Sequence, residues 1–226
     1  MNSCPPTIKR SPSTSYHIKS AEKSIKRVDE FSIVLYSETY DPSHDSYLLA
    51  SKARYLGKVI DLGCGAGYLT AKLAALGNEV IAIDLSPYAV LSTKDTLKVN
   101  DLYNERVHVL QSDGLKALRA SKIYNAIYVN PPYLPVNEFD SWLGRTWSGG
   151  KDGVEVFINM IYGFDELLLE EGVLYFILST LSSMESVNAY LSSLGFKVEK
   201  LSELCFFMEC IELYNAVRQI NGLHLP

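Results

Sequence analysis

Several features are scarce in this 226-residue chain, and each scarcity closes off a class of protein. No apolar run approaches the roughly 20 residues needed to cross a bilayer. Met1 to Arg10 contain no apolar stretch of the kind that directs secretion, so no secretory signal is expected. Cysteine occurs only as Cys4, Cys64, Cys205 and Cys210, with no CxxC pair. That usage predicts neither a disulfide framework nor a metal site, and it fits a reducing cytoplasm. Positive charge is also short. The net charge is -5, and residues 1–30 hold six basic and three acidic side chains, which leaves -8 on the rest. A body that acidic repels a phosphate backbone, so nucleic acid is not expected as the direct substrate. No internal repeat is present.

What remains suits one globular domain. A hydrophobic fraction of 47% with 21% charged residues is ordinary for a folded soluble chain. Residues 1–20, rich in Ser, Pro, Thr and Lys, lack a hydrophobic period. A flexible basic extension over 1–30 and a single domain over 31–226 are therefore expected. The domain opens with the apolar run Phe31 to Tyr36. A turn at Asp41 to Ser46 then leads into a helix from about Asp45 or Ser46.

From residue 58, strands alternate with helical patterns. Predicted strands are Lys58–Leu62, Val80–Asp84, Val107–Leu110, Ala126–Val129 and Leu174–Leu178, with two more near 196–201 and 208–216. A helix through Leu69, Leu73 and Leu76 follows the first, and Pro87 opens the next. Such alternation implies right-handed crossovers and a mostly parallel, Rossmann-like α/β sheet covered on both faces. The last two strands lie close enough to pair antiparallel. Ligands of such sheets bind outside the carboxyl ends of the strands.

Four features sit at those ends. Gly63, Gly65 and Gly67 lie between a strand and a helix, where backbone without side chains can approach a ligand. Asp84 closes the second strand, placed to accept two ribose hydroxyls, and Asp113 follows the third, near where an adenine amino group would sit. A dinucleotide loop would need glycine at 68, which is Tyr68, and Asp61 would repel a pyrophosphate. Asp61 suits a cationic amino group instead. The expected cofactor is S-adenosyl-L-methionine.

Asn130-Pro131-Pro132-Tyr133 ends the fourth strand. The Asn130 side-chain oxygen and the Pro131 carbonyl can each accept one hydrogen from a planar NH2 group. Paired acceptors aim the nitrogen at a methyl donor and offset the charge that develops on it. Pro131 and Pro132 stiffen the loop, and Tyr133 offers a face to a flat group. A plain proline turn does not need asparagine first and an aromatic last.

These residues resemble the HemK-type release-factor glutamine N5-methyltransferases, and within them the compact archaeal and eukaryotic branch of the class I methyltransferases. Tyr40 to Ser46 resembles the family's Tyr-Glu-Pro-x-x-Asp-Thr/Ser block, with Asp41 in place of glutamate. Trp147 to Gly153 resembles its Ala-Gly-Gly-x-x-Gly block. Cys64 stands where a small hydroxyl residue is common and reads as a loop filler. The resemblance implies a seven-stranded sheet and a substrate glutamine in the Gly-Gly-Gln motif of a class I release factor. It implies that Asn130 and Pro131 hold that amide. Ser46, Asp61, Gly63, Asp84 and Asp113 would hold the cofactor. A small zinc-binding activator on the edge strand near Val107–Leu110 is also implied.

Rival readings are amino methylation of adenine or cytosine, methylation of lysine, and a non-catalytic binding module. The acidic body opposes the first, and the chain carries no evident base-flipping domain. A flexible charged lysine gains less from paired amide acceptors. An intact glycine loop beside Asn130 opposes the last. Trp142 and Trp147 either line the substrate groove or pack beneath it, and their setting in a long glycine-bearing loop slightly favours the groove.

Overall fold

A computed structural model describes residues 22–219. Two strands, β1 (Lys23–Val28) and β2 (Phe31–Tyr36), pair antiparallel ahead of the main body. Helix α1 (His44–Ala50) then leads into β3 (Lys58–Leu62), α2 (Tyr68–Ala75), β4 (Glu79–Asp84), α3 (Pro87–Val99) and β5 (Val107–Gln111). After β6 (Tyr124–Val129) a long loop carries the short helix α4 (Trp142–Arg145) and then α5 (Glu155–Ile161). The chain ends with β7 (Leu168–Ser179), α6 (Met184–Ser193), β8 (Phe196–Cys205) and β9 (Cys210–Arg218).

Seven strands form the main sheet in the order β5-β4-β3-β6-β7-β9-β8. The first five are parallel, and β9 runs antiparallel to both of its neighbours. That is the expected doubly wound sheet with a reversed final strand. Alternate residues serve opposite faces, as strand geometry requires. Val59, Ala126 and Tyr128 join the core on one side, while Ile60, Leu62, Ile127 and Val129 join the other. Stacked Phe157, Phe176 and Tyr214 fill the second core, with ring centroids 4.9 and 5.4 Å apart.

Helix α3 starts with Ser86 as N-cap, whose hydroxyl accepts from Ala89 N, and Pro87 in the first turn. Its side chains at 92, 96 and 100 close the open edge of β2. Tyr36 N donates to Ser92 Oγ at 3.1 Å, Val34 N to Thr96 Oγ1 at 2.9 Å, and Ser32 N to Asn100 Oδ1 at 2.9 Å. Every second strand residue meets every fourth residue of the helix because the two repeats are of similar length, ~6–7 Å. A row of side chains thus replaces a neighbouring strand.

Several expectations are corrected. Order begins before Phe31, since Lys23–Val28 form β1 rather than part of a flexible extension. Lys23 pairs with Asp95 and Lys26 with Asp41, so this basic stretch is tied to the body. Residues 1–21 of the expected extension lie outside the described residues. Helix α2 stops at Ala75, and Leu76 is an exposed C-cap. Cys205 and Cys210 form a disulfide, against the expectation that cysteine would be unpaired. They face each other across the β8–β9 turn, a register that cysteine spacing alone does not reveal. Among the described residues, no helix is long and apolar enough to cross a membrane.

The edge ladder yields a stability test. Thr96 Oγ1 also donates to Ala66 O at 2.8 Å, and both groups are buried. Thr96→Val keeps the shape but strands the buried Val34 amide and Ala66 carbonyl. Leaving such groups unpaired costs about 1–3 kcal/mol each, so a loss of about 2–4 kcal/mol is expected in denaturant melts.

Candidate active site

A cavity of about 210 Å³ opens at the carboxyl ends of β3, β4, β5 and β6. Ser46, Asp61, Gly63, Gly65, Asp84 and Asp113 all line it, and so do Asn130, Pro131 and Pro132. Gly67 does not. It caps α2, and a Cβ there would meet the Thr93 backbone at 2.8 Å, so this glycine serves helix packing. Tyr133 lines a second, smaller cavity that shares Tyr40, Asp45 and Thr146 with the first.

The glycine loop is held from below by two rows of bonds. Gly63 N and Cys64 N both donate to Ile83 O, at 2.7 and 3.1 Å. Thr93 Oγ1 donates to Gly65 O at 3.0 Å. Gly65 has φ +53°, and a Cβ there would point into open space, so the loop presents bare backbone to the cavity. Cys64 is buried beside Thr93, and burial pushes its thiol pKa well up, which leaves it a packing group.

Asp61 is 2% exposed and accepts a hydrogen bond from Thr70 Oγ1. Burial, with a smaller contribution from the Asp84 charge, pushes its pKa up to about 7. A carboxylate so placed favours a cationic ligand, which restores its charged form. Asp84 bridges the loop and α3, accepting from Gly65 N at 3.0 Å and Ser86 N at 2.8 Å. Burial raises its pKa despite these bonds. Asp113 stands on the rim and pairs with Lys116.

Opposite lies the Asn130 loop. Asn130 Nδ2 donates to Ser46 Oγ at 3.4 Å, while its Oδ1 is withdrawn from water and has no hydrogen-bond partner. Ser46 Oγ in turn donates to Asp45 Oδ1 at 3.2 Å. Tyr133 OH reaches Asp45 Oδ2 at 3.2 Å, and Tyr40 OH donates to the same oxygen at 2.9 Å. Burial and the Asp45 charge push both phenol pKa values up, so both remain donors. Asp45 therefore ties both ends of the Asn130–Tyr133 loop to α1.

The Trp147–Gly153 block supports this loop from behind. Leu134 N donates to Trp147 O and Gly149 N to Leu134 O, at 3.0 and 2.8 Å. A Cβ on Gly153 would lie 2.5 Å from Tyr133 O, so only glycine permits the contact. Trp142 lines the main cavity with Arg145 over its ring, and Trp147 lines the smaller one while donating to Glu138.

The sequence reading missed Asp45 as the link, and also Met160, which reaches the floor from α5. A Cβ on Gly63 would lie 3.2 Å from Met160 Cε. The Asp45 signal was present in the Tyr40–Ser46 block, but nothing local reveals that Tyr133 would meet it.

The residues present fit S-adenosylmethionine. The bare backbone at Gly65, the buried Asp61 and the free acceptor on Asn130 each leave a place for one of its parts or for an acceptor nitrogen. Comparison with known proteins agrees. Residues 33–146 match the methyltransferase small domain family. A Methanocaldococcus jannaschii protein named "Putative protein N5-glutamine methyltransferase" is 31% identical over 200 residues, covering 86% of this chain and 99% of that protein. The E. cuniculi Mtq2–Trm112 complex, described as responsible for methylating the eRF1 termination factor, superposes with a TM-score of 0.60 at 21% identity. The match covers 80% of this chain and 99% of that one. The T. thermophilus 16S rRNA N2 G1207 methyltransferase, solved with AdoMet and guanosine, gives 0.66 at 19% identity over 88% of this chain and 51% of its own.

The Asp61 shift has a testable sign. Its folded pKa of about 7 lies above the ordinary 3.8 of an unfolded chain. Between those values the folded state holds a proton that the unfolded state has lost. Stability is therefore full at low pH and falls as pH rises through the window. Asp61→Asn abolishes that titration. In denaturant titrations of cofactor-free protein from pH 5 to 8, the parent should lose stability relative to the variant, by up to ~1.4 kcal/mol per pH unit.

Proposed function

Because the chain belongs to the methyltransferase small domain family and is a methyltransferase that uses S-adenosylmethionine, we propose that its acceptor is the side-chain amide of a glutamine, in the Gly-Gly-Gln motif of a class I translation release factor. The observation that carries this reading is Asn130. Its Nδ2 is spent on Ser46, and its Oδ1 is an unpartnered acceptor withdrawn from water. A buried acceptor kept free is costly unless a ligand supplies the donor.

A glutamine NH2 supplies it. One hydrogen goes to Asn130 Oδ1 and the other to the Pro131 carbonyl, which fixes the plane of the amide. Pro132 keeps the loop stiff, and Tyr133, which lines the smaller cavity, anchors the loop through its hydroxyl on Asp45. Bound S-adenosylmethionine supplies a methyl group on a positively charged sulfur. As the nitrogen bonds the methyl carbon, the carbon–sulfur bond would break and leave a neutral thioether. Positive charge would grow on the nitrogen, the two carbonyl acceptors would stabilise it, and the nitrogen would lose its extra proton to water. No strong base is required. On the opposite wall Asp61 would hold the amino group of the cofactor, Asp84 the ribose hydroxyls and Asp113 with its neighbouring backbone the adenine. Gly63 and Gly65 would admit it closely, and Ser46 lines the same cavity beside Asn130.

A nucleobase amino group asks for the same two acceptors, and the guanosine-bound neighbour makes that the second reading. The -8 carried by residues 31–226 weighs against it. The release-factor reading places the protein in the cytoplasm. It also assigns the outer edge of β5 to a small zinc-binding partner. Val107 and Val109 turn inward there while His108 faces solvent, so the strand can accept another beside it.

Incubation with labelled cofactor and a release factor, followed by mass spectrometry, tests the acceptor. Label on the Gly-Gly-Gln glutamine supports it, and label only on an oligonucleotide overturns it. Asn130→Ala should cut kcat by at least 100-fold, on the order expected from losing one transition-state acceptor. Cofactor affinity by calorimetry should change by no more than about threefold, since only the acceptor side has lost a group.

A further inference from the structure

The β8–β9 hairpin turns through Phe206-Phe207-Met208, and these side chains are 47%, 100% and 82% exposed. A tight hairpin turn needs small or polar residues, not two aromatic rings and a thioether. Such a run held in water marks a contact surface.

Its position relates it to the acceptor side of the cavity. The Phe206 ring stands edge-on to His44 with centroids 5.2 Å apart, and His44 opens α1 directly before Asp45 and Ser46. At the base of the hairpin, Cys210 N donates to Thr180 Oγ1 at 3.0 Å and Thr180 N to Cys210 O at 2.9 Å. Two residues further on, Ser182 Oγ donates to Tyr133 O at 2.8 Å. Glu209 lines the smaller cavity, of about 170 Å³, together with Tyr40, Asp45 and Tyr133. Its Oε1 is withdrawn from water and lacks a hydrogen-bond partner. The turn is closed by Phe206 N donating to Glu209 O at 2.8 Å and is held at its base by the Thr180–Cys210 bonds, so its side chains are presented on a fixed frame. A preordered surface loses little entropy on binding.

We propose that Phe206, Phe207 and Met208 dock an apolar surface of the protein that carries the target glutamine, while Glu209 accepts an N–H from that protein's main chain beside the glutamine. The inference rests on the release-factor reading only in taking the acceptor to be part of a folded protein. Aromatic side chains at a fixed protrusion are the kind that dominate protein interfaces, and methionine adapts to the surface it meets. Charge favours the same occupant. Glu203 is paired with Lys200, but Glu209 has no cationic partner among the described residues and would repel a nucleic-acid backbone at this end.

The test compares the parent with the double variant Phe207→Ser, Met208→Ser, whose altered side chains lie mostly in solvent, so the fold and melting temperature should be kept. With the whole release factor as substrate, KM should rise at least tenfold while kcat changes less than twofold. With a short Gly-Gly-Gln peptide, which lacks the docked surface, kcat/KM should stay within twofold. Glu209→Ala, which removes the acceptor, should raise KM for both substrates severalfold. Calorimetric binding of the release factor reads the tip apart from turnover, and an unchanged affinity in the double variant overturns the proposal. So does a change in the sedimentation of the protein alone, which would mean that the tip pairs copies of this chain. If the parent binds the release factor through the tip yet labels no glutamine in either substrate, the release-factor reading falls while the docking surface stands.

Discussion

Asp45 is 3% exposed, yet it receives hydrogen bonds from Tyr40 and Ser46 of its own segment and from Tyr133 of the loop after β6, so two segments of the chain meet on it. Burying a carboxylate costs several kcal/mol unless such partners are supplied, so these segments have to meet for the fold to tolerate it. Their meeting sets the proposed acceptor site. With Ser46 turned toward Asp45, the amide of Asn130 has its nitrogen drawn to Ser46 Oγ and its oxygen left facing the cavity. Without that fixed orientation, the side-chain amide could rotate and offer a donor where an acceptor is required. The chemistry attributed to Asn130 is thus decided one bond and one residue away, by a group that touches no reacting atom.

Helix α3 plays a comparable part for the other wall. Thr93 and Thr96 bond the carbonyls of Gly65 and Ala66, while Ser92, Thr96 and Asn100 hold the edge of β2. Ser86 at its start is linked to Asp84. One helix therefore grips the glycine loop, the acid at the end of β4 and the N-terminal hairpin together. Its buried polar face is the reason that an otherwise apolar packing layer carries Ser92, Thr93 and Thr96 with no exposure. Each hydroxyl stands in for a backbone partner that neither the strand edge nor the glycine loop has.

Much of this was legible in the sequence because strand ends are marked by strong local signals. Lys58–Leu62 is found with the expected bounds, since an apolar run ended by glycine has few other readings. The carboxyl-end positions of Asp84, Asp113 and Asn130 follow from the alternation of elements, and all three line one cavity. What escaped was long-range. Lys23–Val28 carries charges at Lys23, Lys26 and Arg27 with no strand-like alternation and only Ile25 and Val28 as apolar residues, so it reads as a tail until β2 is known to lie beside it. The disulfide depends on the register of β8 against β9, which a bulge between Lys200 and Ser202 shifts. Gly67 has the spacing of a ligand-binding glycine but faces Thr93, because the helix it caps must approach α3 closely. Glycine spacing reports a demand on the backbone without saying what makes the demand.

The two walls reach rigidity by different routes, and the difference follows from where they lie. The cofactor wall is built at strand ends, where the parallel ladder already fixes the backbone to within the tolerance of a hydrogen bond. The acceptor wall is a loop of more than twenty residues between β6 and α5, and loops of that length are ordinarily loose. Here the loop folds back on itself through the Leu134–Ser148 bridge. Gly153 seats against the Tyr133 carbonyl, and Ser182 bonds it from the end of β7. An acceptor nitrogen with a delocalised lone pair reacts only when its plane is held, so a loose loop would forfeit the advantage of paired acceptors. The glycines of the Trp147–Gly153 block and the buried carboxylate of Asp45 are two answers to one requirement. Both make a loop hold its shape as a strand does.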